Sequence, residues 1–304
     1  GGNMDNILQR KIRVGISACA YGSKTIYNIK GWDLVSEFGR DMSNFIWCPL
    51  CPEVMSGMGT PRSQIRIQGE SGRDVIEGRA KIVARNGDDV TEDIMFASNL
   101  CMDILRRSEV DAFIYMDGSP TCGIERTTLK NNRAGKPPGV FGAMLLEEDI
   151  FLIPALSLAS PVRRWDYKRR LYAYVWAKSQ ELSNKNDLYQ FWHNIKFLCQ
   201  ELDEKESRVM GNRIANSEFS PELAAELKAF VTTLMKKPST LEKIKNRLWK
   251  HYVYIKKTQG AEIAEIMEPQ DNRNMHHIAM ELEAIEKFAF TNDVLFGSMP
   301  ARSR

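Results

Sequence analysis

A chain of 304 residues with 43% hydrophobic and 27% charged side chains has the composition of a soluble globular protein and the length of two ordinary domains. No stretch approaches the roughly 20 apolar residues that span a bilayer, and no apolar signal core follows the start, where GGN before Met4 reads as a tag remnant. A cytoplasmic protein with no membrane partner is expected.

Six cysteines are too sparse for a secreted disulfide framework, and the four histidines (His193, His251, His276, His277) fall in no zinc-binding spacing. The net charge of +3 lies wholly in the second half: residues 1–165 hold 20 basic and 20 acidic side chains, residues 166–304 hold 22 and 19.

In chain order, KIRVGI (11–16) predicts a strand, 32–42 a short helix and NFIWC (44–48) a second strand. GRAKIVAR has strand periodicity and ends at an Asn86-Gly87 turn; Thr91 is then expected to cap a helix reaching about Arg107. VDAFIYM (110–116) is the most apolar strand candidate, 139–148 a helix and 149–155 the last strand. The alternation predicts an α/β domain, three-layered around a mostly parallel sheet, over 11–158. Beyond RRWDYKRR (163–170) the apolar spacing becomes helical, which predicts an all-helical domain of about five helices over 165–304 and a frayed tail, GSMPARSR.

Three cysteines follow strand candidates in loops marked by glycine or proline: Cys19 in GISACAYG, Cys51 in CPLCPEVMSG and Cys122 in DGSPTCGIE. Open α/β sheets place their chemistry beyond the carboxyl ends of the strands. Three thiolates meeting there are candidate ligands of a [4Fe–4S] cluster with one iron left for substrate. Two other readings stay open, a redox dithiol of Cys48 and Cys51 and a structural zinc with Cys48 as fourth ligand. Cys101 and Cys199 sit at apolar helical positions and read as core residues.

GISAC, CPEV followed by GMGTPR, and SPTCG followed by Glu125-Arg126 resemble the three signature motifs of the thiouracil desulfidase family, long catalogued as DUF523. The resemblance covers about 11–158 and is carried by Ser17, Ala18, Cys19, Cys51, Pro52, Glu53, Gly57, Gly59, Pro61, Arg62, Ser119, Pro120, Cys122 and Gly123. It implies a [4Fe–4S] cluster held by Cys19, Cys51 and Cys122, whose open iron takes sulfur from a thiolated pyrimidine, either free thiouracil or 4-thiouridine in tRNA. FWHNIKFLCQELDEKESRVMGNRIAN (191–216) and the lysine-rich run with Lys250, His251 and Tyr254 resemble the helical DUF1722 domain often fused to such enzymes. Two positions depart from the pattern: Asn28 stands where an acid is expected, and Ser63 follows the Pro-Arg pair.

Sulfur removal needs proton transfers, for which Glu53, Ser119 and Ser17 are the catalytic candidates. Arg62 is a partner for Glu53 or for an anionic substrate group. Tyr27, Trp32 and Trp47 are candidates for stacking on a base, and Arg126 and Lys130 for meeting a nucleotide backbone. Lys236 to Lys257 holds eight basic residues against Glu242 alone. Lys243, Arg247 and Lys250 there are the leading phosphate candidates, and Arg163, Arg164, Lys168, Arg169 and Arg170 add charge near the domain junction. The expected function is a cluster-dependent desulfidase; the alternatives are another non-redox iron–sulfur lyase or hydrolase, or an RNA-binding sensor with a structural metal site.

Overall fold

The computed structural model describes residues 4–22, 33–127, 135–267 and 274–303. The chain divides into two compact units, Lys11–Ser160 and a second made of Gly1–Arg10 with Pro161–Arg304.

The first unit is built on a four-stranded parallel sheet in the order β2-β1-β5-β6. Its strands are β1 (Ile12–Ser17), β2 (Phe45–Leu50), β5 (Ala112–Tyr115) and β6 (Phe151–Pro154). Of the two central strands, β5 has the continuous apolar sequence of a strand covered on both faces and is buried at every residue, and β1 is buried at all but Arg13. Pro49, which cannot donate to a ladder, sits on the edge strand β2. Gly15 is required in β1: a Cβ there would lie 2.7 Å from both Leu105 and Phe113.

Between β2 and β5 the chain forms a smaller antiparallel pair, β3 (Ile65–Gln68) with β4 (Lys81–Ala84). Ile65, Ile67, Ile82 and Ala84 alternate inward to make a second core with Val75, Ile94 and Val140. β3 and the short helix α1 (Gly72–Ile76) were not expected, because four residues of IRIQ give too short an alternation to stand out. The helix expected at 32–42 is a 3-10 segment, Val35–Asn44.

Helix α2 (Thr91–Arg107) starts with Thr91 inside it, not as its cap. The Thr91 hydroxyl accepts the Ile82 N–H (2.9 Å) and donates to Asp89 (2.6 Å), while Asp89 also accepts the Thr91 N–H (3.0 Å). Asp89 thus satisfies the helix start and Thr91 ties it to β4. Helix α3 (Val140–Glu147) packs beside α2 and completes the unit's main core with Phe141 and Leu145.

The second unit contains, among the described residues, six helices: α4 (Pro161–Ser179), α5 (Lys185–Leu202), α6 (Glu204–Asn216), α7 (Pro221–Met235), α8 (Leu241–Gln259) and α9 (Met275–Thr291). Side chains of Asn184, Asp203, Ser220, Thr240 and Asn274 accept the first free amides of α5 to α9. The end of the chain is not frayed: Phe296, Met299 and Ala301 are buried, and Leu8 pairs with Arg302 (N···O 2.8 Å). Trp176 adds a bond to the Asp5 carbonyl at 2.8 Å, so both termini belong to this unit.

The run RRWDYKRR is not a surface patch throughout. Arg169 and Arg170 are fully buried in α4 and share the Asp166 carboxylate (2.9 and 3.0 Å). Arg169 also pairs with buried Glu201 and donates to the Ser298 carbonyl (3.0 Å), and Ser239 bonds both acids. Burial alone would raise the Asp166 carboxyl, but the two guanidinium groups outweigh it and hold it below the usual range.

Candidate active site

Chain order reverses around β1, with β2 on one side and β5 on the other, so the switch point at which open α/β sheets place their sites lies beyond the carboxyl ends of β1 and β5. The three motifs end there. Cys19 lies in a 3-10 turn directly after β1, Cys51 directly after β2, and Cys122 in the loop after β5. Ser17, the last residue of β1, is 4% exposed, and its Oγ accepts the Met116 N–H at 3.3 Å, tying the two strand ends together.

Glu53 opens a wide turn over Val54–Met58, and Gly57 and Gly59 carry the positive φ values of 91° and 68° that return the chain. This return brings Arg62 back to Glu53. Arg62 Nη2 donates to Glu53 Oε2 at 3.4 Å and Nη1 to the Gly59 carbonyl at 2.9 Å, with the Arg62 side chain 3% exposed. Of the two sequence readings for Arg62, the structure shows the pair with Glu53. Burial raises the Glu53 carboxyl, against an opposing pull from Arg62, so the group lies nearer neutrality than a surface carboxylate.

Ser119 acts on its own loop: its Oγ accepts the N–H groups of Thr121 (3.1 Å) and Cys122 (3.2 Å). The loop is pressed against the start of α3, where Gly139 donates to the Gly123 carbonyl (2.8 Å) and Gly142 to the Thr121 carbonyl (3.0 Å). Only glycines fit: added Cβ atoms at Gly139 and Gly142 would stand 2.5 and 2.2 Å from carbonyl oxygens of the loop.

The cysteines need a correction. Burial first, then the neighbouring Cys51 and Glu53 charges, push the Cys19 thiol up to about 12. Cys51 is raised by burial and Glu53, and Cys122 well above its ordinary value by burial, Cys51, Glu53, Cys19 and Cys101. The thiols are thus near enough to feel each other's charge. Among the described residues no group of three or more His, Cys, Asp or Glu side chains is disposed to hold a metal ion. The expectation of a [4Fe–4S] cluster on Cys19, Cys51 and Cys122 is overturned on this geometry: the donor set does not fit the group. The zinc reading with Cys48 meets the same objection, and no disulfide joins Cys48 to Cys51.

Comparison with known proteins bears on the same segment. The sequence profile of a family described as 2-thiouracil desulfurase matches residues 14–155. An uncharacterised protein of Bacillus subtilis (strain 168), YbbK, is 35% identical over 109 residues, which are 36% of this chain and 71% of that protein. The chain belongs to the 2-thiouracil desulfurase family. Its desulfurase domain is fused to the all-helical second unit. A solved structure described as a [4Fe-4S]-dependent thiouracil desulfidase, TudS, covers 50% of this chain and 94% of its own at 24% identity, with a TM-score of 0.38, too low to add to the assignment.

Two features of the desulfurase domain's site, at Cys101 and Asp117, escaped the sequence reading, and the stacking candidate Trp47 has core neighbours. Cys101 is a core residue as expected, but its Sγ lies 3.4 Å from the Met55 sulfur, and it feels Cys51 and Cys48. Its apolar helical position gave no hint of this. Trp47 packs edge-on against Tyr21 and Phe45 at the sheet edge, as a core aromatic does. Asp117, two residues past β5, accepts three backbone amides of the Cys122 loop. An acid before the glycine of a turn was the only available signal.

Arg126 is exposed; Lys130, Tyr27, Asn28 and Trp32 lie outside the described residues. In the helical unit, Lys243 and Lys250 are exposed and Arg247 is half-buried on α8. Lys245 turns inward to pair with Glu242 at 2.9 Å, and Lys256 pairs with Glu262 at 3.5 Å. Lys243, Arg247, Lys250, Tyr254 and Lys257 fall within about 80° of helix arc over roughly 21 Å, and Tyr254 is 65% exposed.

Proposed function

We propose that the desulfurase domain removes sulfur from a thiolated pyrimidine by replacing it with a water oxygen. The observation that supports this reading is the meeting of the family's three motifs at the carboxyl ends of β1, β2 and β5, with half-buried Glu53 held there by Arg62. The ring binds at these strand ends. Glu53 takes a proton from water as its oxygen adds to the thiocarbonyl carbon. The carbon–sulfur bond then breaks as Glu53 returns its proton to the sulfur, and the added hydroxyl gives up the second proton of the water, so a carbonyl is left and both protons depart with the sulfur as hydrogen sulfide. A carboxyl raised above its ordinary value by burial suits both halves of this exchange. Ser119 and Ser17 organise the strand ends and the Cys122 loop, and the thiols line an apolar wall against which a thiocarbonyl is well accommodated.

The test is sulfide release and loss of thiocarbonyl absorbance when the full chain is given 2-thiouracil or tRNA containing 4-thiouridine. Release from at least one substrate is expected, and Glu53→Gln should lower turnover by about 10²-fold or more. No release from either substrate, or full activity in the Gln variant, refutes the reading or the assignment of Glu53 respectively.

For the helical unit we propose contact with the phosphates of a polynucleotide substrate through Lys243, Arg247, Lys250 and Lys257. The exposed Tyr254 ring in the same stripe is suited to stacking on an unpaired base.

A further inference from the structure

We propose that Asp117 is the positioning residue that holds the Cys122 loop in register with the strand ends. Its consequence for turnover rests on the desulfurase reading above, while its consequence for the loop stands on geometry alone.

The residues after β5 form neither helix nor strand, so their amides need other acceptors. Six consecutive N–H groups, from Thr121 to Arg126, end on two residues. Ser119 takes the first three: its Oγ accepts those of Thr121 and Cys122, and its carbonyl accepts that of Gly123 at 2.9 Å. Asp117 Oδ1 takes the other three, from Ile124 (2.8 Å), Glu125 (3.1 Å) and Arg126 (3.2 Å). Gly118, at φ 87°, turns the chain so that its own N–H reaches back to the Arg126 carbonyl at 3.0 Å.

The two residues divide the work. Ser119 shapes the Cys122 turn itself, whereas Asp117 ties the far end of the loop back to the end of β5. Among the described residues Asp117 makes no salt bridge, so its charge serves these amides. Charge-assisted bonds of this kind are about twice as strong as neutral ones. The closure is tight: a Cβ on Gly123 would lie 1.9 Å from the Arg126 carbonyl oxygen that Gly118 binds. Cys122, 7% exposed beside Leu50, Cys101 and Phe141, keeps its place because both ends of the loop are anchored.

The test alkylates the native full chain with iodoacetamide, reads each cysteine by mass spectrometry, and measures desulfuration in parallel. Asp117→Ala should speed labelling of Cys122 by at least about tenfold, the opening that loss of one charge-assisted bond alone would allow. Cys101 in α2 and Cys199 in the helical unit should stay slow. Asp117→Asn, which keeps an acceptor oxygen but not the charge, should label more slowly than the Ala variant and faster than the parent. In turnover of 2-thiouracil, the Ala variant should lose about 10²-fold in kcat, the scale of a 1 Å misplacement, with KM little changed, and the Asn variant should recover most of it.

Unchanged Cys122 labelling in the Ala variant overturns the proposal. So does a parallel rise at Cys101, which would make Asp117 a support of the whole unit, or equal labelling in the Ala and Asn variants. If the parent chain desulfurates no thiopyrimidine, the functional reading fails, and the labelling still decides the role of Asp117.

Discussion

Gly142 offers a substitution for which local and tertiary reasoning give opposite signs. It lies in the first turns of α3, so propensity alone says that Gly142→Ala stabilises the helix by about 1 kcal/mol. The packing says otherwise. The new Cβ would meet the Gly123 carbonyl oxygen at 2.2 Å, where ordinary contact starts at 3.4 Å, so helix and loop must part by about 1.2 Å. That oxygen also accepts the Gly139 N–H, and Gly142 itself donates to Thr121, so the contact cannot open without straining both bonds. Overpacking of this kind costs about 1–3 kcal/mol, which exceeds the propensity gain. Because the displaced segment carries Cys122, a shift near 1 Å should also lower kcat/KM for a thiopyrimidine by about 10²-fold. Denaturant unfolding monitored by tryptophan fluorescence gives the first quantity, and sulfide release the second. A variant as stable as the parent with activity within twofold would refute the argument, for it would show that the loop yields to α3 without cost.

Arg62→Met should raise the Glu53 carboxyl further, since Arg62 is the group that pulls it down, and the acidic limb of a kcat/KM profile should move to higher pH; an unmoved limb would dissociate Glu53 from it. Arg169→Met should destabilise the helical unit by about 3–5 kcal/mol, because Glu201 is left buried without its main partner, and joining it to Glu201→Gln should recover part of the loss in thermal melts; additive losses would refute the pairing. Asp166 is depressed when folded, so its contribution is present above its unfolded value near 4 and lost as pH falls through the folded value. Denaturation midpoints of the parent should therefore fall on acidification below about pH 4, by less once Asp166 is replaced by Asn. Replacing Lys243, Arg247 and Lys250 with Gln should weaken tRNA binding and reduce the log–log salt slope by about 2 to 3; an unchanged slope would leave these charges as a solvated helix face.

The sequence by itself determined the element alternation, the mostly parallel character of the sheet and the switch to helical spacing in the second half, because hydrophobic period and strand-end punctuation are local signals. The strands at 12–17, 45–50, 112–115 and 151–154 are apolar runs whose neighbours cannot hide them. It also brought Cys19, Cys51, Cys122, Glu53 and Arg62 under suspicion through their motifs. Tertiary structure alone decided what those groups are. Side-chain placement, which depends on everything packed around a residue, leaves no group of three or more His, Cys, Asp or Glu side chains disposed to hold a metal ion among the described residues, against the ligand set that motif order suggested. The same holds for charge runs: Arg169 and Arg170 read as surface cations in RRWDYKRR, yet they are buried because Asp166 and Glu201, 32 residues beyond Arg169, come to meet them. Pairing across such distances leaves no trace in local pattern. Asp117 is the same case at shorter range, since its value lies in the three amides that a folded loop turns towards one oxygen.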